Sequence, residues 1–223
     1  MAALSMSGQA LNAALQQFLA AIDRLLARNP AASAPFRPLL PRDRIGLTAS
    51  IEIEPSLPVQ NFWLPALSTA KQDRDGVIVE IAQTLEVLTP SLRWRQNPNY
   101  RQAPPDARFL ANYGYAEICG ELGLIPTPDL KLGVLVLGPD TCYPAHQHPA
   151  EEIYLPLHAA FWQRGDEEVA AKSWQTRPAG AVIHHPSQMP HATRTGDSVL
   201  AAIYLWRGEL ATNARLQRRE IRD

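Results

Sequence analysis

The sequence has few cysteines, almost no net charge and no apolar run long enough to span a bilayer. Its 21 Lys and Arg residues nearly balance 22 Asp and Glu residues, so we expect neither nucleic acid nor an anionic membrane as a partner. The N-terminus lacks the basic flank and uninterrupted apolar stretch of a signal peptide. We therefore expect a cytoplasmic protein, in which Cys119 and Cys142 are free thiols.

The first half of the chain has the spacing of helices. Nearly half of the 223 residues are apolar (46%), which is enough for a full hydrophobic core. Apolar positions at helical spacing predict an amphipathic helix over residues 8–28. Prolines recur over residues 30–66, where we expect mostly irregular chain. A second helix is predicted from about 69 to 88, and Pro90 would end it.

From residue 111 onward the apolar period changes to that of strands. Seven short apolar or alternating segments follow one another without an intervening helix: 113–119, 131–137, 151–157, 159–163, 173–177, 181–184 and 199–206. This succession is typical of an antiparallel sandwich or small barrel. We expect residues 1–110 to form a helical, proline-rich region that packs on this barrel and helps to close one end of it, rather than a separate domain.

All six histidines lie between His146 and His191, within the predicted β region. Because side chains alternate between the faces of an extended chain, His146, His148, Glu152 and Tyr154 are expected on one face. Two imidazoles and a carboxylate suit borderline-soft divalent ions. The pattern predicts one bound transition metal, chosen from Zn, Fe, Mn, Ni and Co; the ligands alone do not select among these.

A fourth ligand has to come from a later strand. His191 follows a Pro-Ala-Gly turn and could be brought opposite the first ligands by an antiparallel strand, and His184 and His185 compete for the same place. A role beside the ligands is reasonable for one of that pair. An isolated histidine is usually satisfied by backbone partners, and we interpret His158 in this way.

The segments around these residues resemble the two conserved cupin motifs and, more closely, the cupin-type dimethylsulfoniopropionate lyases. The matching stretches are Tyr143-Pro-Ala-His146-Gln-His148-Pro-Ala-Glu-Glu152-Ile-Tyr154, Pro-His191-Ala-Thr-Arg-Thr, Tyr204-Leu-Trp206 and Asn112-Tyr-Gly-Tyr115. The resemblance covers roughly residues 93–208. It implies a mainly β cupin barrel (a double-stranded β-helix, or jelly roll) with an N-terminal α-helical region. It also ranks His191 ahead of its competitors as the fourth ligand.

The sequence departs from the common cupin pattern at two places. The first motif usually ends in Gly, whereas here that turn reads Leu157-His158-Ala159. The spacing from Gly180 to His191 is also longer than usual. The first departure concerns the geometry of the hairpin, whereas the lyases tolerate the longer spacing.

The resemblance implies a small-molecule substrate, dimethylsulfoniopropionate, which undergoes β-elimination to dimethyl sulfide and acrylate. We assign Tyr154 as the general base, because a nearby divalent cation lowers the pKa of a phenol. Tyr143 would orient the substrate or act as an alternate base. Tyr204 and Trp206 share one face of the last strand and are candidates for an aromatic wall against the sulfonium cation.

Two other functions fit the same ligand pattern. An Fe(II)-dependent cupin dioxygenase or isomerase could act on another small carboxylate, and a requirement for oxygen would identify the dioxygenase. A metal-dependent binding or sensor module is the third interpretation. The N-terminal helices show no helix-turn-helix with a basic recognition face, which disfavours it. A homodimer is compatible with the sequence but is not indicated by it.

Overall fold

The computed structural model describes residues 8–42, 56–165 and 174–217. The helices are α1 (Gly8–Leu26), α2 (Pro30–Ser33), α3 (Trp63–Ala70), α4 (Gly76–Leu88), α5 (Pro98–Gln102) and α6 (Phe109–Asn112), with 3-10 turns at Arg37–Leu39, Pro58–Phe62 and Thr89–Ser91. The strands are β1 (Trp94–Arg95), β2 (Tyr113–Cys119), β3 (Leu130–Leu137), β4 (Cys142–Gln147), β5 (Glu151–Pro156), β6 (Ala160–Arg164), β7 (Gln175–Arg177), β8 (Ile183–His185), β9 (His191–Arg194), β10 (Leu200–Arg207) and β11 (Arg215–Leu216). Within these residues, no helix combines the length and apolarity that a membrane crossing requires.

The helix α1 confirms the first predicted helix, but the prediction of one helix over residues 69–88 is wrong. The structure divides this stretch between α3 and α4. Asp75 has extended backbone angles, and its carboxylate accepts a hydrogen bond from the Val77 amide at 3.1 Å. It therefore caps a new helix N-terminus and excludes a continuous helix.

The region rich in proline is more ordered than the sequence predicts. Where residues 30–66 are described, they contain α2, two 3-10 turns and the start of α3. Several of the prolines lie in the first turns of these short helices, where the missing N–H has no helical partner to lose. Residues 43–55 of the same prediction lie outside the described residues.

The strands form two sheets that face each other, and together with the N-terminal helices they confirm the predicted cupin architecture. The six-stranded sheet has the order β1-β2-β3-β10-β5-β8, and the five-stranded sheet has the order β11-β4-β9-β6-β7. Strands β1, β4, β9 and β11 were not among the predicted segments, and β1 and β11, at two residues each, are too short to show an alternation. The unusual turn at 157–159 connects the two sheets without a residue of positive φ, so it has no need of glycine.

The outer face of the six-stranded sheet packs against the N-terminal helices. Ile118, Val134 and Ile203 from this face lie in one buried hydrophobic cluster with Phe18 of α1 and Leu85 of α4. Because these strands are buried on both faces, their sequences are nearly continuous apolar runs. The predicted border at residue 110 therefore runs through a single hydrophobic cluster.

We predict that helices and barrel unfold as one cooperative unit. Trp63 in α3 is 2% exposed, donates a hydrogen bond to Thr89 Oγ1 at 2.8 Å and packs edge-on against Trp94 at 5.1 Å between ring centroids. Trp63→Ala should lower the free energy of unfolding by about 3–5 kcal/mol and shift a single urea transition. The control Leu64→Ala, at a position 53% exposed, should change it by less than about 0.5 kcal/mol. Two transitions, of which only one moves, would contradict this prediction.

Candidate metal centre and cavity

The register of the six-stranded sheet arranges its inner face into two rows of opposed side chains. The first row, across β3, β10, β5 and β8, consists of Lys131, Trp206, Glu152 and His185. The second row, across β2, β3, β10, β5 and β8, consists of Glu117, Gly133, Tyr204, Tyr154 and Ile183. Directly opposed residues lie about 4.5–5.5 Å apart, so each row is a continuous strip along the interior of the barrel.

The facing sheet contributes the remaining histidines. His146 of β4 and His191 of β9 are direct cross-strand partners, and His148 follows β4. The prediction that His146, His148 and Glu152 share one face of a single extended segment is wrong. The chain turns after His148 and crosses from the five-stranded to the six-stranded sheet. The side chains nevertheless converge, because both sheets direct them into the barrel.

Glu152 lies at the centre of a buried cluster with His148 and His191. Its Oε2 atom is 3.1 Å from Nε2 of His148 and 3.0 Å from Nε2 of His191. The ligand atoms of the three residues all lie within 4.8 Å of one another, and none of the side chains is more than 3% exposed. One carboxylate and two imidazoles form a donor set that divalent transition metals accept. This group could therefore hold a metal ion.

Backbone carbonyls determine which nitrogen of each imidazole faces the cluster. A carbonyl can only accept a hydrogen bond, so the bonded Nδ1 atom carries the proton, and Nε2 of the neutral ring presents a lone pair. The acceptors are Pro144 for His146 at 2.9 Å, Ala150 for His148 at 2.9 Å and Met189 for His191 at 2.8 Å. Metal-ligating histidines have the same arrangement.

The electrostatics of the cluster also fit a cation. Burial alone would raise the pKa of Glu152, but His148 and its neighbours hold this pKa well below its ordinary value. Burial lowers the pKa of His146 well below its ordinary value, and His191 lowers it further. Nε2 of His191 makes no hydrogen bond to the described residues. A buried carboxylate charge has to be compensated, and a metal ion bound at the imidazole Nε2 atoms would do so in place of the proton through which His148 otherwise pairs with Glu152.

Trp206 holds the Glu152 carboxylate in place. Its Nε1 donates a hydrogen bond to Oε1 at 2.6 Å, and its indole stacks on His148 with ring centroids 3.9 Å apart. Because Trp206 occupies Oε1, the other oxygen remains directed at the histidines. Trp206, predicted as part of a substrate wall, thus contacts two predicted metal ligands and also lines the adjoining cavity.

His146 and His185 both lie beside the three-residue cluster. The ring of His146 is 4.1 Å from that of His191, although its ligand atom is not part of the close group. His185 stacks on His191 at 4.0 Å, and its Nδ1 is 3.8 Å from Glu152 Oε2. Neither nitrogen of His185 has a hydrogen-bond partner among the described residues, and burial lowers its pKa to about 3. Either residue could supply a fourth neutral donor.

The other two histidines lie outside this arrangement. His184 pairs with Glu151 at 2.7 Å and is partly exposed. His158 lies within hydrogen-bonding distance of the carbonyl of Ala66 and accepts from the amide of Ala201. It thereby joins α3 to β10, in agreement with the structural role predicted for it.

Tyr154 lies between the cluster and the second row. Its ring centroid is 5.9 Å from that of His185 and 6.3 Å from that of His191, and its cross-strand partner is Tyr204. Burial and the carboxylate of Glu152 raise the pKa of Tyr154 well above its ordinary value. In the protein alone this phenol therefore stays protonated at neutral pH.

Tyr143 lies on the other side of the cluster, within an aromatic group. Its ring stacks on His146 at 3.8 Å, nearly parallel, and its hydroxyl is 3.0 Å from that of Tyr100. Phe109 and Tyr113 pack against the same ring at 5.7 and 5.3 Å. The contacts hold the Tyr143 ring, and through it the His146 ring, in one orientation.

A cavity of about 110 Å³ opens beside the cluster. Four predicted residues line it together with Glu152: Tyr143, Tyr154, Tyr204 and Trp206. Sequence reasoning did not assign its other polar lining, namely Asn97, Tyr113, Tyr115, Glu117, Lys131 and Asn213. Tyr113 and Tyr115 belong to a stretch that resembles the lyases, and Glu117 is a carboxylate within an apolar strand at the same parity. That combination was the available sign of a cavity-facing residue.

Comparisons with known proteins point to one family. A family model described as dimethylsulfoniopropionate lyase matches residues 46–201. The dimethylsulfoniopropionate lyase DddQ of Ruegeria pomeroyi is 30% identical over 204 residues, which cover 89% of this chain and 92% of that protein.

Solved structures agree with the fold over nearly the whole chain. The crystal structure of DddQ from Ruegeria pomeroyi DSS-3 superposes with a TM-score of 0.67 at 28% identity, covering 92% of this chain and 97% of that one. A structure reported with the lyases RdDddP and RnDddQII gives a TM-score of 0.68 at 22% identity, covering 93% and 100%. The chain therefore belongs to the dimethylsulfoniopropionate lyase family.

Proposed function

We propose that this protein is a metal-dependent lyase that cleaves dimethylsulfoniopropionate by β-elimination into dimethyl sulfide and acrylate. The observation that carries the proposal is the buried group of His148, Glu152 and His191, which opens on a cavity lined by Tyr154. The relative in Ruegeria pomeroyi bears the name of this activity. We further propose that His146 completes the ligand set for one Zn, Fe, Mn, Ni or Co ion.

His148, Glu152 and His191 fit such an ion because their donor atoms lie within 4.8 Å of one another. When bound there, a divalent cation supplies Lewis acidity, which holds the substrate carboxylate and stabilises the negative charge that develops as the α proton leaves. Trp206 keeps the Glu152 carboxylate oriented by its hydrogen bond. The backbone carbonyls keep the imidazole lone pairs directed inward.

Tyr154 then acts as the base. Its phenolate oxygen takes the proton from the α carbon, the C–H electron pair becomes the new C=C bond, and the C–S bond breaks. The C–S pair leaves with neutral dimethyl sulfide, and acrylate remains. Burial opposes ionisation of this phenol, so the positive charge gained by the cluster has to favour the phenolate. Because Tyr154 would ionise only when the cluster holds a metal ion, we expect the reaction to require the metal.

Tyr143 and Tyr204 provide the remaining walls. We propose that Tyr143 orients the substrate rather than accepting its proton, because its ring is stacked on His146 and its hydroxyl already has Tyr100 as a partner. Tyr204 offers an aromatic face, which suits a sulfonium cation that has no hydrogen bond to donate. The ring of Trp206, predicted for the same wall, is stacked on His148 and lies 5.9 Å from Lys131 Nζ, so we propose that it mainly orients Glu152.

The reaction itself is tested with purified protein loaded with each metal in turn. Incubation with dimethylsulfoniopropionate should release dimethyl sulfide into the headspace and acrylate into solution in equal amounts, with no consumption of dioxygen. Chelator-treated protein is the control and should be inactive. Oxygen uptake without dimethyl sulfide would instead support a dioxygenase.

The metal site is tested by elemental analysis of variants. We expect close to one transition metal ion per chain, and His148→Ala should remove most of it because the variant loses a central donor. The control His184→Ala, at a partly exposed position bonded to Glu151, should keep it.

The fourth ligand is identified by the same measurement on His146→Ala and His185→Ala. We expect His146→Ala to weaken metal retention more. Retention in His146→Ala together with loss in His185→Ala would assign the fourth position to His185. Unchanged metal content in both His148→Ala and His191→Ala would exclude the site.

The base is tested by removal of one oxygen atom. Tyr154→Phe should keep the metal and the fold, since the ring still packs, while turnover falls by about 10²- to 10⁴-fold. Tyr143→Phe is the matched comparison and should lose less. At equal metal occupancy, turnover by Tyr154→Phe within a few-fold of the wild type would exclude this residue as the base.

A further inference from the structure

A buried carboxylate in the cavity has no part in the reaction described above. Glu117 is 7% exposed, lines the cavity and begins the second row, which continues through Gly133 and Tyr204 to Tyr154. Burying a carboxylate is unfavourable unless something compensates its charge. The position therefore calls for an explanation.

The turn after β2 is built around this carboxylate. Oε1 of Glu117 accepts a hydrogen bond from the Leu122 amide at 2.8 Å. Gly120 has a φ of +139°, and a Cβ atom there would lie 2.2 Å from the same oxygen, so a larger residue would displace the carboxylate. Leu122 is the one hydrogen-bond partner of Glu117 among the described residues. The turn thus uses one oxygen of Glu117, and the other oxygen makes no hydrogen bond to the described residues.

Aromatic rings separate Glu117 from the metal cluster. A Cβ atom at Gly133 would lie 2.6 Å from the hydroxyl of Tyr204, so this phenol occupies the space over the glycine, next to Glu117 in the row. Tyr115 packs edge-on against Tyr204 at 6.3 Å. A carboxylate beside aromatic rings is suited to a cation that has no hydrogen-bond donors.

The cation nearest to Glu117 in the cavity lining does not pair with it. Lys131 Nζ donates to the carbonyl of Leu210 at 2.6 Å and lies 5.9 Å from the ring centroid of Trp206. Within the described chain no ion pair joins Lys131 to Glu117. Burial raises the pKa of Glu117, while the Leu122 amide and the more distant charges of Lys131 and Arg95 act to lower it. A ligand cation in the cavity would likewise favour the ionised form.

We propose that Glu117 is a specificity residue that recognises the positive charge of a sulfonium carboxylate and directs it away from the metal cluster. The inference rests on the proposed function, in which the opposite, carboxylate end of the substrate is held at the cluster. Three strand spacings separate Glu117 from Glu152, roughly 14 Å between backbones, and both side chains reach inward to shorten that gap. Direct contact is not required, because charges interact over several ångströms in a partly buried site.

The test uses a matched pair of ligands that cannot undergo β-elimination, so binding is measured without turnover. Dimethylsulfonioacetate carries a positively charged sulfur, and (methylthio)acetate is the counterpart in which the sulfur is uncharged. Titration calorimetry with the metal-loaded wild type should show tighter binding of the sulfonium. Glu117→Gln, which keeps an oxygen for the Leu122 amide, should lose roughly ten-fold of that preference while its affinity for the thioether stays the same.

Two further variants make the outcome decisive. Glu121→Gln removes an exposed carboxylate of the same turn and should keep the wild-type preference. Glu117→Asn is a second neutral variant and should repeat the loss, so that poor folding of one substitution does not decide the result. An equal preference in the wild type and the neutral variants, or an equal weakening of both ligands, would overturn the inference.

The same measurement separates this inference from the proposed function. A wild-type protein that prefers the sulfonium but releases no dimethyl sulfide from dimethylsulfoniopropionate would retain the role of Glu117 and refute the lyase activity. A protein that releases dimethyl sulfide without any preference between the two ligands would support the lyase activity and refute the role of Glu117.

Discussion

The buried carboxylate of Glu152 is the group on which the arrangement of this protein depends. One oxygen is held by the indole of Trp206, and the other lies about equally close to Nε2 of His148 and of His191. A charge in this position is costly unless a cation shares it. A metal ion held by the imidazole Nε2 atoms would supply that cation, and the aromatic stacking around the cluster keeps the donor side chains in place.

The register of the six-stranded sheet places further functional side chains beside Glu152. Glu152 lies opposite Trp206 on one side and His185 on the other, and the adjacent row places Tyr154 opposite Tyr204. The outer face of the same sheet is buried against the N-terminal helices. A shift of one residue in this pairing would exchange the two faces and move the ligands into the hydrophobic core. Packing of the helices on the outer face thus holds the strand register, and with it the positions of the ligands on the inner face.

The cavity has opposite electrostatic character at its two ends, in the account that we propose. The metal cluster becomes positive when loaded and suits a carboxylate, whereas Glu117 and the surrounding phenols suit a cation. A zwitterionic substrate would then have one favoured orientation, with its α carbon beside Tyr154. Orientation of this kind lowers the entropic part of the barrier before any bond changes. The base and the specificity residue belong to the same row of the sheet, so their separation is determined by the strand pairing.

The sequence by itself determined the class of fold, because strand alternation is a local property, and the resemblance of its motifs to a known family indicated the family and the candidate metal ligands. It did not determine how the ligands converge, since the chain changes sheets between His148 and Glu152 and parity along one strand no longer applies. The break before α4 depended on a local cap at Asp75 that the apolar spacing obscured. The cavity lining of Tyr113, Tyr115 and Glu117 required the tertiary structure, because these residues meet the ligands only through strand pairing and packing across the barrel. Long-range pairing of this kind is decided by the burial of both faces at once, and no single segment of the sequence contains that information.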